Sequence, residues 1–143
     1  MRRALAEAAA AAALGEVPVG AVVTSADGRV LAAAGNRVIT LADPSAHAEI
    51  LAIRLAAARA GTPRLEGADL WVTLEPCPMC AYAISMARIR RLYFGAADPK
   101  MGGVEHGPRV LASSSCHHRP EVYGGIGEEA AKALLRAFFE ARR

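Results

Sequence analysis

The chain has 143 residues and a formal net charge of +3, and 53% of it is hydrophobic but only 5% aromatic. Such a length makes one ordinary domain with a core of its own, and no low-complexity linker or internal repeat interrupts it. No stretch is long and apolar enough to cross a bilayer. Arginine outnumbers lysine fifteen to two; the forked side chain suits phosphate oxygens, yet the excess is small beside that of dedicated nucleic-acid modules, and GC-rich codon usage accounts for it.

Residues 2–14 read as a helix closed by Gly15. Two arginines before an alanine run mimic a secretion signal, but Glu7 breaks the run and alanine is a helix former rather than a signal-core residue. A short N-terminal helix of a cytoplasmic protein is expected. Val17 to Thr24 is small and β-branched, hence a strand. Asp27-Gly28 marks a hairpin turn, and Arg29 to Ala34 returns as a second strand. Residues 36–44 form a loop closed by Asp43-Pro44.

Ser45 is a good N-cap, with Glu49 in the opening turns of a helix that runs to about Ala60, where Gly61 and Pro63 stop it. Asp69 to Leu74 is a buried strand. Pro78 suits the first position of a helix to about Ala87, and Arg90 to Phe94 is the next strand. A glycine-rich loop covers 95–109, a fifth strand falls within 118–126, and a last helix follows Gly127. In that helix Ala131, Leu134, Leu135, Phe138 and Phe139 are expected toward the core. Strands alternating with helices imply an α/β fold with a mixed sheet.

Three cysteines, Cys77, Cys80 and Cys116, make no disulfide framework; the close pair reads as metal or redox chemistry. Cys77 sits at a helix cap and Cys80 one turn on, so both sulfurs approach one point beyond the helix start, where thiolates are favoured. His47 opens another helix. Residues at i and i+2 diverge along a helix flank, but an ion past the helix end can be reached by His47 and faced by Glu49. His47, Cys77 and Cys80 as N/S/S ligands fit zinc with water in an open fourth position, and Glu49 is placed as its proton acceptor. This is the pattern of the zinc deaminases.

A lone CxxC or HxE is weak. The joint pattern, HAE and then PCPMC thirty residues from His47 to Cys77, is specific. Cys116, His117 and His118 form a rival cluster, but neighbouring residues converge poorly on one ion, and a loop role is expected.

"VPVGAV" (17–22), "GNR" (35–37), "HAEI" (47–50), "TLEPCPMCAYA" (73–83) and "FGAADPK" (94–100) together resemble the bacterial tRNA adenosine deaminases of the TadA type, within the cytidine deaminase-like superfamily. The resemblance covers nearly the whole chain. It implies a three-layer α/β/α fold with a five-stranded mixed sheet over residues 1–143. It also implies one zinc per subunit, a homodimer, and conversion of adenosine to inosine at the tRNA wobble position. By it, His47, Cys77 and Cys80 are metal ligands and Glu49 the proton shuttle. Asn36 hydrogen-bonds the purine, Val19 and Ala48 join the substrate site, and Asp98 and Lys100 lie beside the target base. Asp98 on its local setting alone reads as a turn cap before Pro99. After "DPK" the chain departs from its relatives with "MGGVEHGPRVLASSSC". The competing functions are a free-base or nucleoside deaminase acting on guanine, cytosine or cytidine, a zinc-stabilised binding module, and a redox CxxC.

Overall fold

A computed structural model describes residues 1–143. Four helices, α1 (Arg2–Ala13), α2 (Ala48–Ala60), α3 (Pro78–Met86) and α4 (Glu128–Glu140), accompany five strands. The strands are β1 (Gly20–Thr24), β2 (Val30–Gly35), β3 (Asp69–Leu74), β4 (Arg91–Ala96) and β5 (Glu121–Tyr123). They make one sheet in the order β2-β1-β3-β4-β5. β1 pairs antiparallel with β2 and β3, whereas β3, β4 and β5 run parallel. The expected five-stranded mixed sheet is therefore present.

Alternation along the strands sorts the two faces. Ala21, Val23, Leu70, Val72, Leu92 and Phe94 share a core with Ala48, Ala52 and Ala56 of α2 and with Ala81 and Ile84 of α3. The alternate residues meet α1 and α4, which pack on each other and on the sheet. Alanine spacing buries Ala4, Ala8 and Ala11 on α1, and the contact is backbone to backbone. A Cβ on Gly20 would lie 2.0 Å from the Ala4 carbonyl oxygen, so only glycine fits there. Farther along this face Trp71, Tyr93 and Tyr123 stack across three strands, with ring centroids 3.9 and 5.2 Å apart.

Several boundaries differ from expectation. β1 begins at Gly20 rather than Val17, because Pro18 has no N–H to give a ladder and the Val19 N–H turns back to the Val17 carbonyl at 2.8 Å. Ser45 does not cap α2. Its N–H and hydroxyl both donate to Asp43 Oδ1, and His47 occupies the N-cap position instead. Phe139 is half exposed while Ala131 and Phe138 are buried; consecutive helical residues point about 100° apart, so only one of the two phenylalanines can face inward.

Candidate metal and substrate site

Two helix starts converge at the carboxyl end of β3. His47 precedes α2 with ψ 150° and Cys77 precedes α3 with ψ 171°. Both backbones are still extended, so the first side chain of each is aimed across the helix end rather than along its flank. Pro78 occupies the opening turn of α3, where its missing N–H costs nothing, and one turn later Cys80 returns to the same point.

His47 Nδ1 lies 3.6 Å from Cys77 Sγ and 3.5 Å from Cys80 Sγ, and all three atoms fall within 4.8 Å of one another. Zinc bonds of about 2.0 Å to nitrogen and about 2.3 Å to sulfur, at tetrahedral angles, separate those atoms by about 3.6 Å. The residues therefore fit zinc without rearrangement. No other set of three histidine, cysteine or acidic side chains is so arranged. The hydrogen bond from Cys80 holds Cys77 down to about 4, and the same bond, with burial, pushes Cys80 up. Binding a cation between them removes that conflict.

Glu49 is 4% exposed and lies beside the Cys80 thiol. Burial pushes its carboxyl up, which favours a group that gains and gives a proton. His47, Cys77 and Glu49 line a cavity of about 330 Å³, within the range of small-ligand sites. Val19, Asn36 and Asp98 also line it.

Asn36 Oδ1 accepts the Ala48 N–H at 2.9 Å, so its Nδ2 remains the group to offer a ligand. Ala48 itself is fully buried with its N–H spent on Asn36. Asp98 Oδ1 accepts the Lys100 and Met101 N–H groups at 3.2 and 2.9 Å, closing the turn expected from its local sequence, while it also faces the cavity. Lys100 is exposed and outside the cavity lining. The 116–118 cluster is packing. Cys116 Sγ donates to Ser85 Oγ at 3.1 Å, the Ser85 hydroxyl donates to the His118 carbonyl at 2.6 Å, and His118 Nε2 donates to the Ile89 carbonyl at 2.7 Å.

Two buried acids went unassigned from sequence. Glu16 and Glu75 both line the cavity. Burial works to raise each carboxyl, but hydrogen bonds from backbone N–H groups hold both below the usual carboxylate value, aided by the Thr40 hydroxyl at Glu16 and the His106 ring at Glu75. Their sequence signal is an acid just before an apolar, proline-containing stretch, "EVPVG" and "EPC".

A family model for the cytidine and deoxycytidylate deaminase zinc-binding region matches residues 1–96. The chain belongs to this deaminase family. Within the family it is 55% identical to a tRNA-specific adenosine deaminase of Agrobacterium fabrum, over 100% of this chain and 93% of that protein. Identity to the tRNA-specific adenosine deaminase of Bacillus subtilis is 44%, over 100% and 88%. A solved structure from work on A-to-I editing by tRNA:A34 deaminases at the wobble position superposes with a TM-score of 0.92. It has 56% identity and covers 94% of this chain and 97% of that one. The guanine deaminase of Nitrosomonas europaea superposes with a TM-score of 0.82 at 28% identity, covering 94% and 80%.

Proposed function

We propose that this chain is a zinc-dependent hydrolase that deaminates adenosine to inosine at the wobble position of tRNA, with residues 1–143 acting as one deaminase domain. The observation that carries the chemistry is the meeting of His47, Cys77 and Cys80 beside a buried carboxylate on a ligand-sized cavity. The choice of RNA rests on similarity along the whole chain to tRNA-specific adenosine deaminases, at 55% identity to that of Agrobacterium fabrum.

His47, Cys77 and Cys80 would hold the zinc, which supplies a Lewis acid that makes water nucleophilic at neutral pH. Glu49 takes a proton from the attacking water and delivers it to N1 of the adenine, so that C6 accepts the oxygen. Glu49 then carries the second proton to the amine on C6, which leaves as ammonia. The Asn36 amide donates to an acceptor on the purine, and Val19 packs on the ring. The target base must leave its stack to enter, and an anticodon loop already presents splayed bases.

A second subunit is part of this reading. Met79, Tyr82 and Met86 follow one stripe of α3 and are all exposed, Met86 by 60%. Such a face suits a twofold contact with its own copy, and sedimentation at micromolar concentration reads it. No helix is long and apolar enough to cross a membrane; the cytoplasmic setting in this reading rests on the tRNA substrate alone.

The test is incubation of zinc-loaded protein with an anticodon stem-loop bearing wobble adenosine, beside free adenosine, guanine and cytosine, scoring inosine and ammonia. Stem-loop turnover that declines steeply with salt is expected. Guanine turnover with little salt dependence and an inert stem-loop would overturn the RNA reading in favour of a free-base deaminase.

A further inference from the structure

Glu16 and Glu75 are 1% and 2% exposed, and each spends its carboxylate on a different loop. Glu16, just after α1, accepts the Ile39 N–H at 3.3 Å, the Thr40 N–H at 2.7 Å and the Thr40 hydroxyl at 2.9 Å. Glu75, just after β3, accepts the N–H groups of Asp98, Val104, Glu105 and His106 at 3.0–3.2 Å and the His106 ring at 2.7 Å.

These loops are two walls of the cavity. Val38 and Ile39 stand on one, Asp98 and Met101 on the other. Most backbone bonds of 37–43 close on the loop itself, such as Leu41 to Arg37 and Asp43 to Val38, and the Arg37 N–H reaches Ala46 at the loop's far end at 3.0 Å, so none of them ties the loop to the sheet. The second wall is packed tightly on its anchor, since a Cβ on Gly102 would lie 2.4 Å from Glu75 Oε2.

We propose that Glu16 and Glu75 are positioning residues that hold the two walls in the shape that receives the substrate. The inference rests on the RNA reading above, and it assigns these acids to engagement of the substrate rather than to the proton transfers. A carboxylate has about four lone-pair sites, and Glu75 already accepts five donors, so it has no capacity left for a reacting proton. The walls also carry large apolar side chains in water at the mouth, Ile39 at 71% exposure and Met101 at 63%. Nucleotides flanking the target base would cover them. A wall ordered before binding spares that ordering cost when the RNA arrives.

The experiment uses zinc-loaded Glu16→Gln and Glu75→Gln. The amide nitrogen of glutamine then meets backbone donors, which loosens the loop without changing side-chain size. Amide exchange at 39–40 in the first variant, and at 98 and 104–106 in the second, should accelerate by about tenfold or more. KM for the stem-loop should rise about tenfold while kcat stays within about twofold and zinc content is retained. Thr40→Val and His106→Ala each delete one partner and should shift KM in the same direction by less; they carry the test if a glutamine variant fails to fold. Unchanged exchange and KM would overturn the inference, as would a loss confined to kcat or to bound zinc. If the wild-type chain leaves the stem-loop untouched, the RNA reading fails, while loop exchange still decides whether these acids hold the walls.

Discussion

Asn36 Oδ1 accepts the Ala48 N–H at 2.9 Å, so a single side chain ties the end of β2 to the opening turn of the helix behind His47. The bond consumes an orphan helix N–H and fixes which end of the amide is free. A donor is left for the cavity, matching the acceptor nitrogens on a purine edge. Asn36→Asp preserves the Ala48 bond and loses the donor. It should keep its melting temperature and lose about a hundredfold in kcat/KM on the stem-loop, as measured by steady-state inosine formation.

Glu49→Ala separates chemistry from metal binding, because Glu49 lies next to the ligand set without being one of its three members. The purified variant should retain about one zinc per chain by elemental analysis. Turnover should fall by about a thousandfold or more. A chain that served only as a zinc-stabilised binding module would bind RNA as before and show no turnover to lose.

Metal removal should cost fold stability as well as activity. His47, Cys77 and Cys80 stand at the starts of α2 and α3, so an ion held by them would cross-link segments thirty residues apart in sequence. With free zinc at about a thousandfold over its dissociation constant, linkage adds about 4 kcal/mol to stability. A chelator should lower the melting temperature in calorimetry and added zinc should restore it. Insensitivity of the melting temperature to chelation would argue for a redox pair at Cys77 and Cys80.

Glu16 should make stability depend on acid pH. Its folded carboxyl titrates below the ordinary 4.5, so the folded state binds the proton less readily than the unfolded chain. The contribution is complete above 4.5 and is lost as pH falls through the lowered folded value. Glu16→Gln has no such carboxyl. The stability difference between wild type and Glu16→Gln, from urea unfolding at a series of pH values, should be constant near neutrality and shrink in acid.

Much of this was legible because it is local. β3 spans Asp69–Leu74 as its apolar run requires, Pro78 starts α3, and Gly61 ends α2 with φ 69°. The ligand set was legible because His47, Cys77 and Cys80 all stand at helix starts that the sequence marks with polar or proline residues. The misread cap at Ser45 came from competition, since Asp43 two residues earlier takes both of its donors. The roles of Glu16 and Glu75 were not legible. Their partners lie 23 to 31 residues away, and no periodicity within either motif points across that distance.

The sheet separates α2 and α3, which carry the ion-binding atoms, from α1 and α4 on its far side. Zinc held there would staple only one face of the molecule. The other relies on close contact between small residues, such as Gly20 under Ala4, with nothing inorganic to brace it. Thermal breathing should begin in that outer pair of helices and leave the hydrolytic centre closed until late in unfolding.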